Sequence, residues 1–304
     1  MGREQRGERL LDHVHPRPYT WACQRRTSGP ERTRDGASCL HLEIPGPAQL
    51  GPNIDGSTMR IPVIKGTIKR RLLINFRADP TVVQRILPQA FRPKLHRGFS
   101  IVGICLIRLE QMRPAGLPGM IGLSSENAAH RIAVEWTDAA GTQREGVFIP
   151  RRDTGSFLNR VAGGRVFPGE HHSASFSVAD TGSHIDFSMR SHDGSVVVTV
   201  VGDDADSLPT SSCFGSLVEA SAFFEGGSLG YSVTRDGERL DGLLLRTLDW
   251  SVRALSVGEV HSSFFNDRRR FPEGSIQFDH ALVMRDILHE WHKAEDFYAS
   301  AQAA

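Results

Sequence analysis

The chain has 304 residues, and its 39% content of hydrophobic residues is enough for a core of substantial size. Its formal net charge is +1 and its arginines alternate with acids, which argues against nucleic acid as a partner. No apolar run reaches the roughly 18 to 20 residues that span a bilayer, and no secretory signal opens the chain, so we expect a cytoplasmic protein without a membrane partner. The four cysteines form no CxxC pair, so we expect reduced thiols and no structural metal site. We also expect no cofactor.

The first 58 residues differ in composition from the rest of the chain. They are rich in proline and arginine, contain no lysine, and show no sustained period of either 2 or 3.6. We therefore predict a disordered amino-terminal extension over residues 1–58 and a single domain over residues 59–304. Alternatively, Met59 is the true start of the protein, which native peptides from before Met59 would exclude.

Strand patterns start at Arg71, where apolar residues alternate with polar ones through residue 77. Asp79 and Pro80 then predict a short helix over residues 81–87, because aspartate caps free amide groups and proline suits the first helical position. Gly163 and Gly164 predict the end of a helix over residues 156–162. Alternating or apolar runs predict further strands over residues 99–109, 126–136, 145–149 and 171–178.

The second half of the chain carries two turn signals and two helix patterns. Asp193 and Gly194 predict a hairpin of strands 185–190 and 196–201, and a second hairpin is predicted at Asp236 and Gly237. A helix is predicted over residues 215–225, and another over about 279–298, where apolar residues recur near helical spacing. With no internal repeat and no parallel βαβ rhythm, the pattern indicates an α+β fold, a mostly antiparallel sheet with a few peripheral helices.

Residues 163–172 read Gly, Gly, Arg, Val, Phe, Pro, Gly, Glu, His, His. This stretch resembles the active-site segment of acetoacetate decarboxylases, in which a Gly, Gly, Arg run leads to Phe, Pro and a pair of lysines. Further matching segments follow in order over about residues 65–297. They are the strand with Asp79 and Pro80, Ser125 to Asn127, Gly227 to Ser232, Ser262 to Phe265, and the predicted last helix around Met284 to Trp291.

By these segments the chain resembles the acetoacetate decarboxylase-like superfamily, and within it most closely a bacterial family known as domain of unknown function 2071. The resemblance implies a curved antiparallel sheet closed into a cone or barrel around a buried pocket, often in a homo-oligomer. It also implies a Schiff-base lysine, but Gly169 and Glu170 stand where the lysine pair is expected. Neither side chain carries an amine, so decarboxylation through a Schiff base is not expected.

The resemblance assigns roles to two residues. Glu126 matches the active-site glutamate of the superfamily, and Lys69 falls near the position of a substrate-binding arginine. The strand pattern places Glu126 on one face with Ala128, His130 and other inward residues, where a buried carboxylate must be paired or holds its proton. Glu126 is therefore a predicted acid or base, and the alternative is a loop residue that caps a turn.

Other basic residues supply candidate ligand-binding groups. Arg131, on the opposite strand face from Glu126, and Arg165, after the glycine pair, could each hold a carboxylate through a two-pronged contact or form a structural ion pair. His171 and His172 face opposite ways on a strand, so we expect one of them to face the pocket. His172 is a predicted acid or base and His171 a ligand contact beside Glu170; a core histidine and a metal ligand are the alternatives.

Tyr231 and His261 fall on predicted strands and are further candidates for lining the pocket, although a core tyrosine with a bonded hydroxyl is an equal alternative for Tyr231. The chain lacks the G-x-S-x-G nucleophile elbow and the glycine-rich motifs that bind phosphates or dinucleotides. Two hypotheses remain. One is an enzyme that binds a small carboxylate-bearing molecule without a Schiff base, and the other is a non-catalytic binding or sensing protein on the same fold.

Overall fold

The computed structural model of the protein describes residues 63–118, 120, 122–156, 169–234, 237 and 239–298. All of them belong to one compact unit, Gly56–Ala304. The predicted extension over residues 1–58 and the predicted helix over residues 156–162 lie outside the described residues, apart from Ser156. Within the described part of the chain, neither helix has the length and apolar character that a membrane crossing requires.

The described residues form fourteen strands and two short helices. Strands β1 to β7 are Ile64–Ala78, Arg92–Pro93, Leu95–His96, Phe99–Pro114, Leu123–Thr137, Gln143–Thr154 and His171–Asp180. Strands β8 to β14 are His184–Ser191, Val197–Ala205, Leu229–Val233, Arg239–Thr247, Arg253–Ser262, Ile276–Lys293 and Phe297–Tyr298. Helix α1 is Pro80–Gln84 and helix α2 is Leu217–Gly226.

Nine of these strands close into a barrel. Their order is β6, β7, β8, β9, β12, β13, β1, β4 and β5, and pairing of β5 with β6 completes the ring. All neighbours in the ring are antiparallel except β6 and β7, so the barrel is mixed. The predicted fold class, a mostly antiparallel sheet closed into a barrel with few helices, is confirmed.

Strands β10 and β11 connect β6 to β13 a second time, beside the barrel. Strand β10 runs parallel to β6 at residues 147–149, and β11 pairs with β13 at residues 289–293. The five strands β13, β1, β4, β5 and β6 are therefore shared between the nine-stranded ring and a smaller one closed by β10 and β11. The two faces of this shared sheet are both covered by apolar side chains.

The two faces belong to different hydrophobic clusters. Leu72, Ile104 and Ile132 on one face pack in the interior of the nine-stranded barrel, against strands β8, β9 and β12. Leu73 and Cys105 on the other face pack against helix α2 and its neighbours. Because the side chains of a strand alternate, one residue step separates the barrel core from the opposite side.

The local signals at the first helix and the first hairpin are confirmed. Asp79 caps α1, its Oδ1 accepting from the Thr81 amide at 2.7 Å, although the helix ends at Gln84, earlier than predicted. Gly194 has a φ of 70° in the turn between β8 and β9, a conformation that glycine adopts without strain. The helix predicted over residues 215–225 is α2.

The predicted carboxyl-terminal helix over about residues 279–298 is wrong. Residues 276–293 form strand β13, which pairs with β1 along nearly its whole length. Val283 lies in the barrel core while Leu282 and Met284 lie in the other cluster, so this strand is apolar on both faces. A strand buried on both faces gives a continuous apolar run, which periodicity does not distinguish from a buried helix.

Candidate ligand-binding site

A cavity of about 110 Å³ lies on the face of the shared sheet that looks away from the barrel core. Strands β1, β4, β5 and β6 form one wall, and strands β10 and β11 with residues 227–228 form the other. Leu243, Leu245 and Trp291 give the cavity an apolar lining. The polar side chains on its walls include three arginines.

Three arginines line this cavity: Arg71 on β1, Arg131 on β5 and Arg152 on β6. The strand pairing explains why they meet. Arg71 pairs with Ile107 of β4, and Ile107 pairs with Asn127 of β5. Two residues further along β5, Ala129 pairs with Arg152 of β6. These residues share one face of adjacent strands, so their side chains converge on one space.

None of the three arginines forms an ion pair with a described residue. Arg71 Nε donates to the Cys105 Sγ at 3.3 Å, Arg131 donates to the Asn75 side-chain oxygen, and Arg152 Nε donates to the Ser232 hydroxyl at 3.0 Å. Among the described residues, the cavity therefore presents three guanidinium groups whose hydrogen-bond partners are neutral.

Asp153 also borders the cavity, but its carboxylate is engaged elsewhere. It receives hydrogen bonds from Arg151, the shortest at 2.8 Å from Nη2, and is fully buried. Burial raises the pKa of Asp153, while the hydrogen bond and charge of Arg151 act in the opposite direction. Asp153 therefore neutralises Arg151 and not the three arginines of the cavity.

Burial lowers the pKa of Arg131 and of Arg152 to about 10 each, and the nearby Cys105 sulfur opposes this effect in both cases. Both groups still carry their charge at neutral pH. A buried charge without a counter-ion is unfavourable, because water is lost and no partner replaces it. An anionic ligand would supply that partner, and a carboxylate can accept two parallel hydrogen bonds from each guanidinium it meets.

Arg131 is held by a chain of buried polar groups that runs away from the cavity. The Asn75 side-chain oxygen accepts from Arg131, and its amide nitrogen lies 3.0 Å from His280 Nε2. His280 Nδ1 lies 2.6 Å from an oxygen of Asp279. This order of donors fixes a neutral imidazole with its proton on Nδ1, and it gives the Arg131 guanidinium a fixed orientation.

His171, at the start of β7, contributes an imidazole to the same cavity. Burial, together with the positive charge of Arg152, lowers the pKa of His171 to about 3. The ring is therefore neutral at physiological pH and can donate or accept a hydrogen bond. Among the described residues, no group of three or more His, Cys, Asp or Glu side chains is arranged to hold a metal ion.

Of the residues predicted from the sequence, Arg131 and His171 line the cavity. Glu126 lies on the opposite face of the sheet, where its carboxylate pairs with Arg70 at 2.8 Å. Burial raises the pKa of Glu126, while the charge and hydrogen bond of Arg70 lower it. The geometry therefore does not bring the predicted acid or base, Glu126, to the cavity that holds the arginines.

The other predicted residues lie away from the cavity. Lys69 is exposed and pairs with Asp286 at 2.7 Å, and His172 lies 3.5 Å from Asp193. Tyr231 packs in an aromatic cluster with Phe91, Trp136 and Phe297. His261 is exposed and contacts Asn266, and Glu170 is also exposed. Arg165 lies outside the described residues.

Sequence reasoning missed Arg71, Arg152 and Cys105. Arg71 is only two residues from the predicted Lys69, but the pairing of β1 with β4 shifts register between Ile68 and Arg70. Arg152 follows Pro150 at a point where the strand was predicted to have ended. The signal that could have found these residues is an arginine in an otherwise apolar strand, because a charge in such a place needs a partner.

Gly169, one of the two residues at the expected lysine positions, has a backbone that glycine suits. Its φ is 77°, and a Cβ at this position would lie 2.5 Å from the Cβ of Ser232. A lysine here would combine a strained backbone with a steric clash.

A family model for domain of unknown function 2071, described as an uncharacterized conserved protein, matches residues 66–234. Among solved structures, the chain is similar to an acetoacetate decarboxylase from Legionella pneumophila, with a TM-score of 0.50 and 14% identity over 80% of this chain and 89% of that one. It is also similar to the enduracididine biosynthesis enzyme MppR complexed with pyruvate, with a TM-score of 0.50 and 13% identity over 84% of this chain and 97% of that one. At these identities the likeness shows the fold alone. No curated protein matches the chain.

Proposed function

We propose that the arginine-lined cavity of this protein binds a short carboxylate. The chain belongs to the family known as domain of unknown function 2071 and has the acetoacetate decarboxylase-like fold. The observation that carries this proposal is the set of three guanidinium groups, from Arg71, Arg131 and Arg152, on an apolar cavity without a carboxylate partner among the described residues. A carboxylate ligand provides both the missing charge and the hydrogen-bond acceptors.

The size of the cavity supports a ligand of only a few carbon atoms. Its volume is about 110 Å³, whereas pockets for drug-sized molecules are typically about 300–1,000 Å³. An engineered apolar cavity of about 150 Å³ holds benzene, which gives the upper end of the size expected here. MppR, which shares the fold, has been solved in complex with pyruvate, a carboxylate of this size class.

Isothermal titration with pyruvate and with its neutral amide tests the proposal. We expect pyruvate to bind about 10- to 100-fold more tightly than the amide, because hydrogen bonds between charged groups contribute about 1.5–3 kcal/mol. We also expect the affinity to fall as salt rises, although less steeply than at an exposed site. Glu126→Gln is a matched control on the other face of the sheet and should bind pyruvate as tightly as the wild type. Equal affinities for pyruvate and the amide would refute the proposal.

The proposed function does not use a Schiff base. The chain has four lysines, and none of them lines the cavity. Lys94 borders a smaller neighbouring cavity of about 30 Å³, which Arg71 and Arg131 also line. Its ammonium group pairs with Glu145 at 2.7 Å and lies 4.4 Å from the centre of the Phe223 ring.

We therefore predict that borohydride traps no adduct when the protein is incubated with pyruvate or acetoacetate. Intact-protein mass spectrometry should show an unchanged mass, because no lysine lines the cavity that is proposed to hold the ligand. An acetoacetate decarboxylase with an active-site lysine, treated in parallel, shows that the reagent works. A reduced adduct on any lysine, Lys94 first among them, would contradict the prediction.

A further inference from the structure

A cysteine lines the arginine cavity, and the binding of a carboxylate does not require it. Cys105, on β4, is 9% exposed and its side chain lies on the same face of the sheet as Arg71 and Arg131. The Arg71 Nε–H donates to its sulfur at 3.3 Å. Because the sulfur already accepts this bond, its own proton is free to point elsewhere.

The groups around this sulfur are positive. Arg131 is 5% exposed, and its Nε has no hydrogen-bond partner although it is buried. Arg131 and Arg152 line the same cavity as Cys105. The thiol therefore lies among guanidinium groups, and electropositive surroundings of this kind are typical of cysteines that act as nucleophiles.

We propose that Cys105 is a nucleophile that forms a covalent adduct with a carboxylate-bearing electrophile, such as a 2-oxo acid, held by Arg71, Arg131 and Arg152. This inference rests on the proposed function, because the arginines bring the carboxylate to the cavity. In the addition, the sulfur forms a bond to the carbonyl carbon and the carbon–oxygen π bond breaks. The thiol proton ends on the new hydroxyl, so the addition balances and no other reactant is needed.

Cys213 provides an internal reference. It is buried to the same extent as Cys105, but it does not line the cavity. Burial and the neighbouring Asp279 raise the pKa of Cys213 to about 12. Its thiol therefore stays protonated and should be inert in the folded protein.

Competing alkylation by iodoacetate and iodoacetamide tests the proposal on the full chain. Both reagents form a sulfur–carbon bond, break the carbon–iodine bond and release iodide and the thiol proton, but only iodoacetate carries a carboxylate. Peptide mass spectrometry resolves Cys105 from the other three cysteines. Relative to the same chain unfolded in urea, we expect the ratio of iodoacetate to iodoacetamide modification at Cys105 to rise about 10-fold or more. Pyruvate should protect Cys105, and Cys213 should remain unmodified.

Two further results decide the matter. Arg71→Gln removes the hydrogen bond to the sulfur and should lower the preference of Cys105 for iodoacetate. If this variant does not fold, protection of wild-type Cys105 by pyruvate gives the same information. An unchanged reagent ratio at Cys105, or modification at the rate of Cys213, would overturn the role of the thiol. If pyruvate still binds in the calorimeter in that case, the thiol proposal alone has failed; if it does not bind, the proposed function has failed as well.

Discussion

Replacing Arg152 by methionine is expected to weaken pyruvate binding by about 10- to 100-fold and, at the same time, to stabilise the ligand-free protein. The loss of affinity follows from removing one of three guanidinium groups that face the ligand. The gain in stability follows because Arg152 is a half-buried charge whose hydrogen-bond acceptor, among the described residues, is the neutral Ser232 hydroxyl. Replacing buried ionic groups by apolar side chains of similar volume often stabilises proteins by about 1–4 kcal/mol, and the lost hydrogen bond offsets about 1 kcal/mol of this.

The neighbouring Arg151 gives a matched control with the opposite sign. Arg151 pairs with Asp153, whose side chain is fully buried, and with Asp193. Arg151→Met would leave the Asp153 carboxylate buried without a partner, so we expect it to lower the free energy of unfolding by about 3–5 kcal/mol. Urea unfolding of the two variants without ligand measures the difference. If Arg152→Met is as destabilising as Arg151→Met, the arginines of the cavity are structural and the account of an unpaired charge is wrong.

The protein is also expected to lose stability steeply in mild acid, because several histidines are buried in the neutral form. Burial lowers the pKa of His130 to about 3 and that of His289 to about 4, and it lowers the pKa of His280 despite the attraction of Asp279. Between the ordinary histidine pKa of about 6.5 and these lower values, the unfolded chain binds protons that the folded chain does not. Stability is therefore complete above about pH 6.5 and falls as the pH decreases.

The expected size of this effect is large. Each such histidine removes about 1.4 kcal/mol per pH unit, so His130 and His289 together remove about 4 kcal/mol between pH 6.5 and pH 5. Glu126 and Asp153 act in the opposite direction at lower pH, because burial raises the pKa of each and the folded protein holds those protons more tightly. A net loss of several kcal/mol is a large part of the stability of an ordinary domain.

His130→Phe isolates the contribution of one residue. His130 is fully buried beside the Phe264 ring, and neither of its ring nitrogens has a hydrogen-bond partner in the described part of the chain. The variant should be at least as stable as the wild type at pH 8, and its advantage should grow by about 1.4 kcal/mol for each pH unit below 6.5. Urea unfolding at pH 8, 6 and 5 measures this trend. A stability difference that does not depend on pH would mean that His130 takes up its proton in the folded protein.

The sequence was sufficient for most of the architecture, because alternation and turn chemistry are local properties. The strand from residue 71, the aspartate cap and the Asp193–Gly194 turn needed only neighbouring residues to be recognised. Strand β13 was assigned to a helix because the tertiary structure covers both of its faces, and a single sequence does not show that. The closure of the barrel came from resemblance to a known superfamily and not from periodicity.

The candidate site was predicted only in part, for a geometric reason. Arg131 was found because an arginine can hold a carboxylate through a two-pronged contact, and His171 because one of two adjacent strand histidines was expected to face the pocket. Arg71 and Arg152 were not, because shifts of register change which face a residue occupies, as between Ile68 and Arg70. In the link from Arg131 through Asn75 to His280, Asn75 and His280 are 205 positions apart in the chain, and the pairing of β1 with β13 brings them together.

The decisive measurement is a crystal structure of the full chain grown with pyruvate. We expect the ligand in the cavity, with its carboxylate within hydrogen-bonding distance of at least two of the guanidinium groups of Arg71, Arg131 and Arg152. A cavity in which these arginines are instead paired with carboxylates of the protein itself, with pyruvate absent or bound elsewhere, would contradict it.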